Sequence, residues 1–294
     1  MRLRVLIIGR HGQLAHELAR TAPDGVEFQA ISSAELNISN EQDVTDCVTL
    51  HRPQFVINTA AYTQVDKAET ETERAFTVNA QGVLHLAKAC NAIDARLIHI
   101  STDFVFDGAK SSPYLPSDTP NPMSVYGKSK LEGERLAQHV LPGEKLLILR
   151  TSWLYSSHGH NFVKTMLKLA ATRNELRVVC DQVGSPTWAH DLAYAVWNAV
   201  KHEEICGIHH FSNAGVASWY DLAVAVMEEA VDVGLLPAKP AVLPILTEAY
   251  PTPAKRPSYS VLNCFNTWGQ LGVTPKHWRK GLRNMLVELK GMNS

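Results

Sequence analysis

Leu3-Arg4-Val5-Leu6-Ile7-Ile8-Gly9-Arg10-His11-Gly12-Gln13-Leu14-Ala15 is the stretch on which the fold turns. Its first six residues form an apolar, partly β-branched run, the mark of a strand buried on both faces. The next segment repeats apolar residues at Leu14, Ala15, Leu18 and Ala19, a helical period. Strand, glycine turn and helix in that order is the context that a dinucleotide-binding fingerprint requires. Gly9 permits the tight turn, Gly12 lets the backbone approach a pyrophosphate, and Ala15 is small enough for close helix–strand packing. The helix start then offers free N–H groups and a partial positive charge to phosphates. Alone, Gly-x-x-Gly-x-x-Ala describes an ordinary turn equally well; its place after the first strand favours the nucleotide reading.

Moving outward, strands are expected at Val26–Ser32, Phe55–Ala61, Leu97–Ile100 and Lys145–Thr151. Between them the spacing predicts a helix opened by a Ser39-x-x-Gln42 capping box and a long amphipathic helix from Asp66 to Asn91. A third helix carries Tyr126 and Lys130. The alternation predicts an α/β, Rossmann-type doubly wound parallel sheet. Beyond Tyr155 it loosens. Helices are expected at 161–172, 189–201, 218–233 and 276–290, strands at 176–180 and 207–212, and a proline-rich tract lies between Pro237 and Pro257. Residues 1–151 thus read as a dinucleotide-binding domain, and 152–294 mainly as a smaller substrate-binding lobe with segments crossing back to the sheet.

The 294 residues carry a formal net charge of −1, which gives no electrostatic reason to expect nucleic acid or an anionic membrane. No apolar run approaches the ~18–20 residues that cross a bilayer, and the start has no signal-peptide pattern. The five cysteines show no Cys-x-x-Cys, as expected of reduced thiols in a cytoplasmic protein. The thirteen histidines show no metal-ligand spacing, so no metal site is assigned.

Tyr126 and Lys130 stand four residues apart, one above the other on one helix face. A phenol titrates near ~10, and a lysine charge beside it is expected to lower that value and make Tyr126 a usable general acid. Thr102, in Ser101-Thr102-Asp103, offers a hydroxyl at a strand's carboxyl end. The second strand ends in Ser32-Ser33, without the acid that usually grips ribose hydroxyls; the nearest is Glu35. Arg10 stands where it can meet a 2′-phosphate or serve as a solvated loop charge. The balance favours NADPH, with NADH tolerated. Asn37 lies where an adenine edge can be read, and Asn79 is a buried amide that either ties elements together or orders the site. The loop 109–122 is long enough to cover a substrate, or to be plain surface.

Gly9-x-x-Gly12, Ser101-Thr102-Asp103 and Tyr126-x-x-x-Lys130, in this order, resemble the extended short-chain dehydrogenase/reductases. More narrowly, the chain resembles the dTDP-4-dehydrorhamnose reductases. That match rests on Gly12-Gln13-Leu14, the run from Asn58 to Glu69, Ser101–Gly108, Arg150–Tyr155, Asn161-Phe162-Val163, Ser185-Pro186-Thr187 and Arg256-Pro257. The resemblance implies hydride transfer to the C4 ketone of a dTDP-linked 6-deoxy-hexulose, giving dTDP-L-rhamnose. It implies Thr102, Tyr126 and Lys130 as the catalytic set, Lys130 also gripping the nicotinamide ribose. Gly12, Gln13, Leu14, Asn37, Ile38, Ala61, Tyr62 and Thr63 would line the cofactor. Val65, Thr102, Asp103 and Trp153 would contact the sugar and Arg256 the diphosphate, although Trp153 reads equally as core. Departures are Asn37 for the usual Asp, Phe104 for Tyr, Ala15 for the third Gly and Tyr259 for Asn; they bear on substrate and cofactor preference. Some relatives dimerise around Mg²⁺ held by acidic residues, and Glu17 matches one such position. A homodimer and Mg²⁺ are therefore left open. So are an epimerase or dehydratase of the same superfamily and a non-catalytic regulatory subunit.

Overall fold

The computed structural model describes residues 3–293. β1 (Leu3–Ile8) leads through the glycine turn into α1 (Gln13–Arg20), followed by β2 (Val26–Ile31). α2 (Glu41–His51) is capped by Asn40, whose side chain accepts from the Gln42 and Asp43 N–H groups. The expected Ser39 cap is thus displaced by one residue, because the Ser39 N–H is already held by Asn37 Oδ1 at 3.1 Å. β3 is confined to Phe55–Asn58.

The single helix expected from Asp66 to Asn91 is broken. α3 (Val65–Ala68), α4 (Thr72–Phe76), a π-helical turn at Thr77–Gln81 and α5 (Gly82–Ala92) take its place. The buried Asn79 amide explains the widened turn. It accepts from the Tyr62 N–H at 2.8 Å and donates to the Tyr62 carbonyl and to Ser129 Oγ, both at 3.0 Å. β4 (Arg96–Thr102), α6 (Val125–Val140) and β5 (Leu146–Thr151) follow.

In the second half, β6 (Leu154–Tyr155), α7 (Phe162–Ala170), β7 (Glu175–Val179), β8 (Val183–Gly184) and β9 (Thr187–Trp188) precede α8 (Ala189–Lys201). β10 (Gly207–His210) joins the main sheet. β11 (Ala217–Ser218) and α9 (Trp219–Asp232) come next, the latter opened by a Ser218/Asp221 capping box. β12 (Ala241–Ile245) lies in the proline-rich tract and pairs with β7; Pro244, having no N–H to donate, hid it from a reading by composition. α10 (Phe265–Gln270) and α11 (Trp278–Asn293) complete the chain.

The six-stranded sheet runs β10-β5-β4-β3-β1-β2, with every pairing parallel. Alternation along β1 divides the core. Val5 and Ile7 pack with Leu14 and Leu18 of α1 and Leu192 and Val196 of α8. Leu6 and Ile8 pack with Val44 and Val48 of α2, Leu86 of α5 and Ala137 of α6. A separate cluster, including Val163, Leu222, Val226 and Leu286, joins α7, α9 and α11. The strand order reverses between β1 and β3, so a crevice opens at the carboxyl ends there.

Candidate active site

The rotation of α6 about its axis decides where Tyr126 and Lys130 point, and buried polar bonds fix it. Ser124 caps the helix by accepting from the Gly127 N–H. One turn from Lys130, Glu134 receives Arg150 Nε and Nη2 at 2.9 and 2.6 Å and the Ser101 hydroxyl, tying α6 to β4 and β5. Ser129 is held by Asn79. Gly127 and Gly133 lie against the Phe104 and Asn79 carbonyls, so a Cβ at either would force α6 away. Asn79 therefore both ties elements together and seats the site-bearing helix.

Tyr126 and Lys130 face a cleft of about 820 Å³ at the carboxyl ends of the strands, as do Thr102 and Asp103. The Thr102 hydroxyl donates to Asp103 Oδ1 at 3.0 Å and accepts from the Phe104 N–H at 3.2 Å. Desolvation pushes the Tyr126 phenol up to about 12; the Thr102 hydroxyl opposes this and the Asp103 carboxylate adds to it. The expected lowering by Lys130 is not found. The Lys130 ammonium donates to the Ile100 carbonyl at 2.7 Å and lies 3.4 Å from His99 Nε2, so it is engaged with β4 rather than with the phenol. Its own value is lowered by burial to about 8, with the Glu134 carboxylate opposing. Burial raises Asp103 to about 6, with the Ser260 and Thr102 hydroxyls opposing.

Along the same cleft, Gly9, Gly12, Gln13 and Leu14 form one wall. Gly9 has φ +103, and a Cβ there would stand 2.7 Å from Thr59 Oγ1, so the turn closes only around glycine. α1 begins at Gly12 with no side-chain cap and no acid in its first turn, leaving its N–H groups free for an anion. A dinucleotide pyrophosphate fits this cradle. Asn37, Ile38, Ala61 and Thr63 also line the cleft. Asn37 Oδ1 is taken by Ser39, which leaves the amide N–H groups to donate.

Two expected cofactor residues do not line the cleft. The Tyr62 ring packs with Ala68 and Ala75, and its hydroxyl donates to Glu71 at 3.1 Å. Arg10 lies 3.3 Å from Glu35 in an exposed pair, while Glu35 Oε2 accepts from the Ser32 N–H and hydroxyl. Glu35 is thereby folded back on its own turn, and Ser32 and Ser33 line the cleft instead. The loop 109–122 does not cover the cleft. Tyr114 bridges to Leu262, and Lys110 pairs with Asp118.

Val65, Trp153 and Arg256 line the cleft as well. Arg256 Nη2 donates to Asp66 Oδ2 at 2.7 Å. Trp153 has φ +47, and its indole stacks on Trp219 with centroids 3.5 Å apart and planes 2° apart. Gly184 makes room, since a Cβ there would lie 2.5 Å from the Trp153 ring. Sequence reasoning missed Trp219, whose partner lies 66 positions earlier. It also missed His160 and Asn161, which line the rim. A helix was expected at 218–233, and nothing local distinguished Trp219 as a cleft wall.

Residues 2–290 match the family model described as the RmlD substrate binding domain. Over 293 residues the chain is 42% identical to the dTDP-4-dehydrorhamnose reductase of Aggregatibacter actinomycetemcomitans, covering 96% of this chain and 98% of that one. The chain belongs to the dTDP-4-dehydrorhamnose reductase family. It is also 43% identical over 286 residues to the spore coat polysaccharide biosynthesis protein SpsK of Bacillus subtilis, covering 97% of each. The structure of the family member from Bacillus anthracis, in complex with NADP, superposes with a TM-score of 0.91 at 36% identity, covering 98% of this chain and 100% of that one. As a member of this family the chain is an oxidoreductase.

Proposed function

We propose that the cleft reduces the C4 ketone of dTDP-4-dehydro-L-rhamnose to give dTDP-L-rhamnose, with NADPH preferred and NADH tolerated. The observation that carries the reading is that the Thr102 hydroxyl, the Tyr126 phenol and, one turn along α6, the buried Lys130 line one and the same cleft. Bound reduced nicotinamide supplies the hydride. Tyr126 supplies the proton to the ketone oxygen, and hydride plus proton together make the alcohol. A phenol at about 12 remains protonated throughout the neutral range, yet is a far stronger acid than the alcohol whose alkoxide it protonates. Lowering its value is therefore unnecessary in the reductive direction. Thr102 turns its hydroxyl to the carbonyl and keeps it facing Tyr126. Lys130 holds a positive charge beneath the site and meets the nicotinamide ribose.

Gly9, Gly12, Gln13 and Leu14 would hold the pyrophosphate, Asn37 and Ile38 the adenine end, and Ser32 and Ser33 the region of the 2′-phosphate. Val65, Asp103 and Trp153 would contact the sugar and Arg256 the diphosphate, exchanging part of its bond with Asp66. Residues 1–151 then act mainly as the dinucleotide-binding part and 152–294 mainly as the substrate lobe. No helix among the described residues is long and apolar enough to cross a membrane, which agrees with a cytoplasmic enzyme. The test is a panel of dTDP-4-keto sugars assayed by nicotinamide absorbance with NADPH and with NADH. Turnover of dTDP-4-dehydro-L-rhamnose, faster per concentration with NADPH, is expected; no turnover with either reductant would end the proposal.

A further inference from the structure

Beside the cleft, α1, α8 and α11 bring Glu17, Arg20, His190 and Glu288 to one point. Arg20 Nη2 lies 2.7 Å from Glu17 Oε2, 2.8 Å from Glu288 Oε2 and 3.2 Å from His190 Nδ1. A guanidinium nitrogen of this kind carries two hydrogens and cannot serve three acceptors. His190 Nδ1, 3.3 Å from Glu17 Oε2, therefore serves better as a donor to that carboxylate. Two carboxylates and an imidazole converge on a single positive centre, and the chain's own guanidinium fills the point. A Mg²⁺ held through Glu17 does not fit this arrangement. Among the described residues, no group of three His, Cys, Asp or Glu side chains is placed to hold a metal ion.

The same carboxylates reach the cleft rim. Ser156 Oγ donates to Glu17 Oε1 at 2.7 Å, and Ser157 Oγ donates to Glu288 Oε1. Asn161 Nδ2 donates to Gln13 Oε1 at 2.8 Å, and His158 stacks on His16 with centroids 4.1 Å apart. Residues 159–161 of this rim line the cleft beside Gln13.

We propose that Arg20 is a built-in cation, standing where a divalent metal ion would otherwise be needed and clamping residues 156–161 onto α1 through Glu17 and Glu288. The clamp's effect on cofactor binding rests on the reading that the cleft takes NADPH; the metal and melting measurements do not. Wild-type protein is analysed for bound metal and melted in EDTA and in millimolar Mg²⁺ or Mn²⁺. No stoichiometric metal and an unchanged midpoint are expected; stoichiometric metal or a midpoint that falls in EDTA overturns the proposal. Arg20→Ala should melt lower and raise the NADPH KM about threefold to tenfold while kcat changes less than about twofold. Millimolar Mn²⁺ should restore both in part, and the added Glu17→Gln change should abolish that response. An unchanged KM, or indifference to both metals, overturns the clamp or the cation role respectively. If Arg20→Ala does not fold, the wild-type measurements still decide the metal question. Ser157→Ala, which frees the rim from Glu288, then reads the clamp: a raised NADPH KM supports it and a wild-type KM overturns it. Failure of sugar turnover with intact melting results would instead fault the proposed reaction.

Discussion

The cluster at Tyr126 and the ionic knot at Arg20 are both set among buried polar groups, yet the environment moves their protons in opposite directions. At Tyr126, Lys130 and Asp103 desolvation prevails, and each group is pushed toward its neutral form, to about 12, about 8 and about 6. At Glu17 desolvation also pushes upward, but hydrogen bonds from His190, Ser156 and Arg20 outweigh it, and the carboxyl falls to about 2. The difference lies in the partners. The knot is completed within the chain and serves as a fastening. The Tyr126 cluster keeps donors facing a cleft, where a ligand can complete them.

The most severe way to break this contrast is to remove the phenol oxygen. Tyr126→Phe should lower kcat by about 10³-fold, within the range that general acids contribute, while leaving the Kd for NADPH within about twofold. Steady-state rates and a fluorescence titration separate the two; a kcat near wild type would take Tyr126 out of its assigned role. The knot is tested by acid. Glu17 in the folded chain titrates below its ordinary value near 4.5, so it contributes stability that is fully present above that value and lost as pH falls toward 2. The contribution is about 3 kcal/mol as an order of magnitude. Denaturant unfolding of wild type and Glu17→Gln should therefore differ most near neutrality and converge across that window. Parallel curves would mean that the carboxylate is not the group being titrated.

The sheet and its glycine turn were legible because β1 and α1 carry their signals within seventeen residues: an apolar run, Gly9, Gly12 and a helical period. α8 was equally plain, its bounds set by Pro186-Thr187 and an uninterrupted apolar stripe. The segment 65–92 was not: it is interrupted at residues 69–71, and its turn at Thr77–Gln81 is widened by a tertiary bond. Asn79 reaches Tyr62 and Ser129, and no local pattern records that an amide will be buried there. The Tyr126/Lys130 spacing correctly placed both residues at the cleft, but not the direction of the ammonium, which the Ile100 carbonyl decides from another strand. Arg10 and Tyr62 do not line the cleft for the same reason: Glu35 and Glu71 hold them. Trp219 carried no signal, since its meaning lies in Trp153.

A milder probe sharpens the electrostatic side. If the Lys130 ammonium is needed, it is present below its value of about 8 and lost above it, so kcat/KM should fall about tenfold per pH unit beyond that point. Lys130→Met should give a lower rate without this limb. A limb that survives in the variant must belong to another group.

The smallest expected effect concerns the indole wall of the cleft. Trp153 holds a left-handed backbone at φ +47, and its indole is confined between Gly184 and the face of Trp219. Removing the Trp219 ring frees one side of that stack without touching Tyr126, Lys130 or the α1 turn. An aromatic pair of this kind contributes about 0.5–1.5 kcal/mol beyond its buried area, so Trp219→Ala should raise the sugar KM about threefold to tenfold. The NADPH KM should stay at the wild-type value, because the assigned dinucleotide cradle is built from other residues, Gly9, Gly12, Gln13 and Leu14. A rise in the NADPH KM alone would place the indole pair against the cofactor and take Trp153 out of its assigned contact with the sugar.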